Sequence, residues 1–146
     1  MGHLSNLKDI LLAEDDEDDA HFFEVALNEL KFPYELRIAI DGNMLFVLLK
    51  DRIPHILFLD IDMPCKDGIA CIAEIRKNRD YDKLPVVMYT SHTADKIKEE
   101  AFRNQANLYV IKANTIKEIT ASLAKVFAID WNNYMHYPPY DQFFLS

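Results

Sequence analysis

The sequence predicts a doubly wound α/β domain: a five-stranded parallel sheet with helices on both faces. Three observations predict it. Five short apolar runs recur along the chain. Segments with apolar residues three and four apart follow them in strict alternation, strand then helix. Most of the runs are continuous rather than alternating, as expected of strands covered on both sides.

The elements follow in order. Ile10, Leu11, Leu12 and Ala13 form the first strand, bounded by Lys8 and Asp9 and then by acids. Residues 19–30 carry Phe22, Phe23, Ala26, Leu27 and Leu30 at helical spacing. Residues 34–40 alternate more, which places the second strand near an edge. Residues 43–50 bring Leu45, Phe46, Leu48 and Leu49 to a second helix, and residues 55–59 are a third strand, apolar from Ile56 to Leu59. Asp67 opens a helix with Ile69, Ile72, Ala73 and Ile75 inward. Residues 85–89, with Val86 and Val87, form the fourth strand. Thr93 or Ala94 starts a helix with Ile97, Ala101 and Phe102 inward, and residues 108–111 form the fifth strand. Thr115 heads the last helix, with Ile119, Leu123 and Val126 inward; Glu118, three residues on, makes a capping box.

A chain of 146 residues, half of them apolar and 27% charged, suits one domain with a real core. The expected division is an extension over 1–7, the domain over 8–129 and an aromatic extension over 130–146, with no output domain. That last stretch holds Trp131, Tyr140, Phe143 and Phe144. It is expected to pack on its own domain and to contribute to self-association as a homodimer. The net charge of -8 argues against non-specific nucleic-acid binding and against docking on an anionic membrane. Cys65 and Cys71 are not spaced as a zinc site and fit a reducing compartment. The first residues lack an apolar signal core, and no run reaches membrane-spanning length, so the expected location is the cytoplasm.

In open parallel sheets ligands bind beyond the carboxyl ends of the strands. Here those ends carry Glu14, Asp15 and Asp16, then Asp60 and Asp62, then Thr90 and Ser91, then Lys112. Clustered carboxylates repel one another, and a hard divalent cation such as Mg²⁺ removes that cost. An aspartate beside Mg²⁺ is a plausible nucleophile toward a phosphoryl donor, with Lys112 stabilising the transferring oxygens. Each residue also has a plain alternative. Asp16, Asp18 or Asp19 can cap a helix, Asp67-Gly68 can be turn chemistry, and Lys112 can be a solvated charge. Their joint placement after four separate strands is much harder to explain that way.

The segments 10–16, 60–68 (with Asp60, Asp62, Met63, Pro64, Asp67 and Gly68), 84–91 and 109–112 resemble the receiver domain of bacterial response regulators. The resemblance covers about residues 8–129 and implies a flavodoxin-like (βα)5 fold, its five parallel strands in the order 2-1-3-4-5. It implies that Asp60 accepts a phosphoryl group from a sensor histidine kinase or phosphotransfer protein, and that a downstream protein reads the result. It implies that Asp15 and Asp60 bind Mg²⁺, that Glu14 helps to hold it and that Asp62 offers its backbone carbonyl. Thr90 resembles the hydroxyl that bonds the phosphoryl group, Lys112 the lysine that pairs with it and Tyr109 the aromatic switch. Asp62 and His92 fall at positions that tune phosphoryl lifetime. The family usually has a proline after the lysine, with a cis bond; this chain has Ala113. The acid run from Glu14 to Asp19 and the C-terminal extension are similar to single-domain regulators, some of which serve bacteriophytochrome kinases.

Two rivals stay open at this point. A degenerate receiver would bind partners without phosphorylation. A haloacid-dehalogenase-like phosphatase also places D-x-D after an apolar strand, but it carries a late acid pair that does not follow Lys112 before the tail.

Overall fold

The structure is a computed structural model that describes residues 7–131 and 138–145. It contains β1 (Asp9–Ala13), α1 (Glu17–Glu29), β2 (Glu35–Ala39), α2 (Gly42–Asp51), β3 (Ile56–Leu59), α3 (Gly68–Lys77), β4 (Val86–Thr90), α4 (Asp95–Arg103), β5 (Leu108–Ile111), α5 (Ile116–Ala128), α6 (Tyr140–Phe143) and β6 (Phe144–Leu145). A 3₁₀ turn over Arg79–Tyr81 leads into β4. The strands are parallel and ordered β2-β1-β3-β4-β5-β6.

The sheet therefore has six strands where five were expected. The first five take the expected order, and the sixth comes from the tail. Phe144 and Leu145 pair with Tyr109 and Val110, and so cover the edge that β5 would otherwise expose. Tyr134 and Tyr137 lie outside the described residues.

Continuous apolar strands are explained by two cores. Leu11, Leu57, Leu59, Val86 and Met88 face one layer, with Leu45 and Leu49 of α2, Ile72 and Ile75 of α3 and Ala101 of α4. Ile10, Leu12, Phe58, Val87 and Val110 face the other, with Phe23 and Leu27 of α1 and Leu123 and Val126 of α5. Successive residues of one strand thus enter opposite cores.

The caps set where the helices start. Asp16, Asp41, Asp67 and Thr115 each accept from backbone amides at the head of a helix, at α1, α2, α3 and α5 respectively. The Thr115 hydroxyl also bonds the Glu118 carboxylate, which closes the predicted box through side chains. Helix α4 has no side-chain cap; its Ala101 is buried, while Ile97 and Phe102 are only partly so. In α3, Cys71 takes an inward place and Ala73 stays half-buried.

Candidate functional site

The strand ladders run one rung past the strands at the carboxyl end of the sheet. Glu14 N donates to Ala39 O at 2.9 Å, Asp60 N to Ala13 O at 3.1 Å and Lys112 N to Thr90 O at 2.9 Å. Glu14, Asp60 and Lys112 are each the first residue beyond a buried strand. Their backbones are fixed by the sheet rather than by loops, which suits a site that needs fixed geometry.

Lys112 Nζ lies 2.6 Å from Glu14 Oε1, 2.8 Å from Asp19 Oδ2 and 3.0 Å from Asp60 Oδ2. Asp60 is 4% exposed, and its Oδ1 accepts from Ile61 N at 2.7 Å. An open cleft of about 540 Å³ surrounds the group, lined by the acids from Glu14 to Asp19 together with Asp60, Asp62, Ser91 and Lys112. Carboxylate oxygens of Glu14, Asp15 and Asp60 come within 4.8 Å of one another.

Glu14 is 2% exposed. Its Oε2 accepts from Asp16 N, and its Oε1 faces the Lys112 ammonium at 2.6 Å. Burial pushes the Glu14 carboxyl up to about 7; the Lys112 ammonium opposes this and the Asp60 charge adds to it. Burial works against the Lys112 charge too, but the bonds to Asp19 and Glu14 and the charge of Asp60 outweigh it and hold its pKa above the usual lysine range. Two buried carboxylates and a third beside them, set against one ammonium, are an environment a hard divalent cation fits. Glu14, Asp15 and Asp60 are the side chains that could hold one.

Other expected residues fall nearby but outside the cleft lining. Thr90 is fully buried at the end of β4, and its Oγ1 accepts from His92 N at 3.4 Å. Tyr109 is buried on β5 and its hydroxyl donates to His92 O at 2.9 Å. Burial, and then the charges of Asp60 and Asp62, raise the Tyr109 phenol to about 12, so it stays a donor at neutral pH. His92 Nε2 stands 2.8 Å from both oxygens of Asp62, which lines the cleft. All described peptide bonds are trans, so Lys112 reaches the site without a cis bond after it.

Three features were not expected. Asp19 bonds Lys112, although the sequence suggested only a capping or solvated acid, and nothing in the acid run sets it apart from its neighbours. Gly68 is more than turn chemistry: a Cβ there would lie 2.2 Å from Asp60 O and 2.8 Å from Ile61 Cα. Only glycine lets α3 begin this close to the Asp60 backbone. The tail also reaches Tyr109, whose ring centroid lies 6.0 Å from Phe143 and 5.9 Å from Phe144.

The profile of the response regulator receiver domain family matches residues 10–124. Response regulator Rcp1 of Synechocystis sp. is 31% identical over 120 residues, covering 77% of this chain and 81% of that protein. A crystal structure of the Mn(2+)-bound form of Rcp1 superposes with a TM-score of 0.76 at 26% identity, over 90% of this chain and 99% of that one. The phosphorylated cyanobacterial phytochrome response regulator RcpA gives a TM-score of 0.79 at 22% identity, over 91% and 99%, and supports the fold. No helix among the described residues is long and apolar enough to cross a membrane.

Proposed function

This chain belongs to the response regulator receiver domain family, and we propose that it accepts a phosphoryl group on Asp60 from the phosphohistidine of a sensor histidine kinase or a phosphotransfer protein. Receiver domains are signalling modules that work with such donors and with downstream effectors, rather than turnover enzymes. The observation that carries the reading is Asp60 itself. It is a buried carboxylate at the end of β3, held 3.0 Å from Lys112 and beside two further carboxylates. Burying acids together is costly, and such arrangements concentrate at functional sites.

An Asp60 oxygen attacks phosphorus; the new O–P bond forms as the N–P bond to the donor imidazole breaks, and the imidazole leaves, taking up a proton. Lys112 stabilises the charge that spreads over the transferring oxygens. Glu14, Asp15 and Asp60, with the Asp62 carbonyl, would hold Mg²⁺, which when bound neutralises phosphoryl oxygens and aligns them. The Mn(2+)-bound state of Rcp1 supports a divalent cation in this fold.

Thr90 and Tyr109 act as the switch in this reading. The Thr90 hydroxyl leaves the His92 amide for the new phosphoryl oxygens, and Tyr109, bonded to the His92 carbonyl, moves with the same loop. The Asp62–His92 pair sets water access, and so phosphoryl lifetime.

The test is incubation with Mg²⁺ and acetyl phosphate, followed by weighing of the intact chain. One added phosphoryl group, absent in Asp60→Asn, supports the reading. No gain, together with no complex with beryllium fluoride, would leave a receiver that binds partners without phosphorylation.

A further inference from the structure

We infer that Asp19 is a positioning residue that carries the Lys112 ammonium when the site holds its divalent cation. This deepens, and rests on, the phosphoacceptor reading above. Lys112 Nζ is bound by three carboxylates, but they are not equivalent. Glu14 and Asp60 belong to the cation-competent cluster with Asp15, and both are almost fully buried. Asp19 lies outside that cluster, at 2.8 Å from Nζ, with its side chain 40% exposed.

A cation held by Glu14 and Asp60 withdraws those two oxygens from Lys112 and repels its charge. Of its three described carboxylate partners, Asp19 is the one left to keep the ammonium at the cleft, within reach of a phosphoryl group on Asp60. Without Asp19 the lysine stays on the buried pair and competes with the cation for it. The loop fixes Asp19 for this task. Glu14 Oε2 accepts from Asp16 N at 3.2 Å, Asp16 Oδ1 accepts from Asp19 N at 3.0 Å, and the Asp19 side chain turns back to Lys112. Glu17, Asp18 and Asp19 together also suit the positive end of α1, which is the plainer account of an acid here. That account gives Asp19 no coupling to Lys112.

A double-mutant cycle on the full chain decides between the two. Calorimetric titration with Mg²⁺, and with Mn²⁺ as a tighter probe, is performed on wild type, Asp19→Asn, Lys112→Ala and the double variant. Loss of one exposed charge near a divalent ion lowers affinity by about threefold through screened electrostatics alone. The inference requires about tenfold loss for Asp19→Asn with Lys112 present, about threefold with Lys112→Ala, and recovery in Asp19→Glu. Equal losses in both backgrounds would overturn it. The phosphoacceptor reading is judged separately by wild type, which must bind the cation and gain a phosphoryl group whatever Asp19 does. Intact-mass kinetics with acetyl phosphate add a second readout: Asp19→Asn slows the maximal rate at saturating Mg²⁺, and an unchanged maximal rate would also count against the inference.

Discussion

Glu14 is the residue where burial and function conflict most openly. Its carboxyl is raised to about 7 in the folded, metal-free protein, from the ordinary 4.5. A folded-state pKa above the unfolded value means stability fully present below pH 4.5 and lost as pH rises through about 7. In EDTA, wild type should lose denaturation midpoint between pH 5 and about 8 relative to Glu14→Gln, which cannot titrate there. A cation must bind the deprotonated form, so its affinity should rise over the same window and flatten in Glu14→Gln. Calorimetry at pH 6, 7 and 8 checks this, and a flat wild-type profile would contradict the burial argument. Gly68 is the second decisive residue. Gly68→Ala must push α3 away from the Asp60 backbone, at about 1–3 kcal/mol by analogy with overpacking, read from urea midpoints. The same variant should accept phosphoryl more slowly, because the displaced atoms belong to Asp60 and Ile61.

At the scale of elements, β1, β3 and β5 each deliver their last apolar residue to a core and their next residue to the cleft. The caps do the matching work on the other side of each loop. Asp16 heads α1 and anchors Glu14 through its own amide, so one residue joins helix start to site. Thr115 heads α5 just after Lys112. Thr115→Ala should cost about 1 kcal/mol by thermal or urea unfolding, with cation affinity unchanged, since the cap lies outside the cleft lining. A cap variant that also weakened cation binding would show that the loop from Lys112 to Thr115 is set by the helix rather than by the sheet.

For the whole molecule, the tail is the element that departs from a bare five-stranded sheet. Phe143 is fully buried and packs on Phe102 of α4 and Tyr109 of β5, while β6 closes the sheet edge. Phe143→Ala should cost about 3–5 kcal/mol if the site cannot collapse. Removal of residues 130–146 should therefore lower the unfolding midpoint sharply. Sedimentation of the same truncation tests self-association: loss of a dimer with unchanged stability would assign the tail to an interface instead. Because Phe143 and Phe144 wall Tyr109, the truncation should also change the Tyr109 environment, visible by NMR of its ring.

Apolar runs separated by helical patterns were enough to read a parallel five-stranded sheet flanked by helices, because few other packings bury such runs; the strand order came with the family resemblance. The sequence by itself also determined the residues at the strand ends, because Glu14, Asp60 and Lys112 directly follow runs that must be buried. Tertiary structure alone decided which of the neighbouring acids matters to which partner. Asp16 and Asp19 look alike in the chain, yet one caps α1 and the other holds Lys112, a distinction made only when β5 brings position 112 beside position 19. It also decided the need for Gly68, since the clash is with backbone eight residues earlier, and the docking of Phe143 and Phe144, since two residues carry no periodicity from which to read a strand. Patterns along a chain report burial; they do not report which polar atoms meet across it.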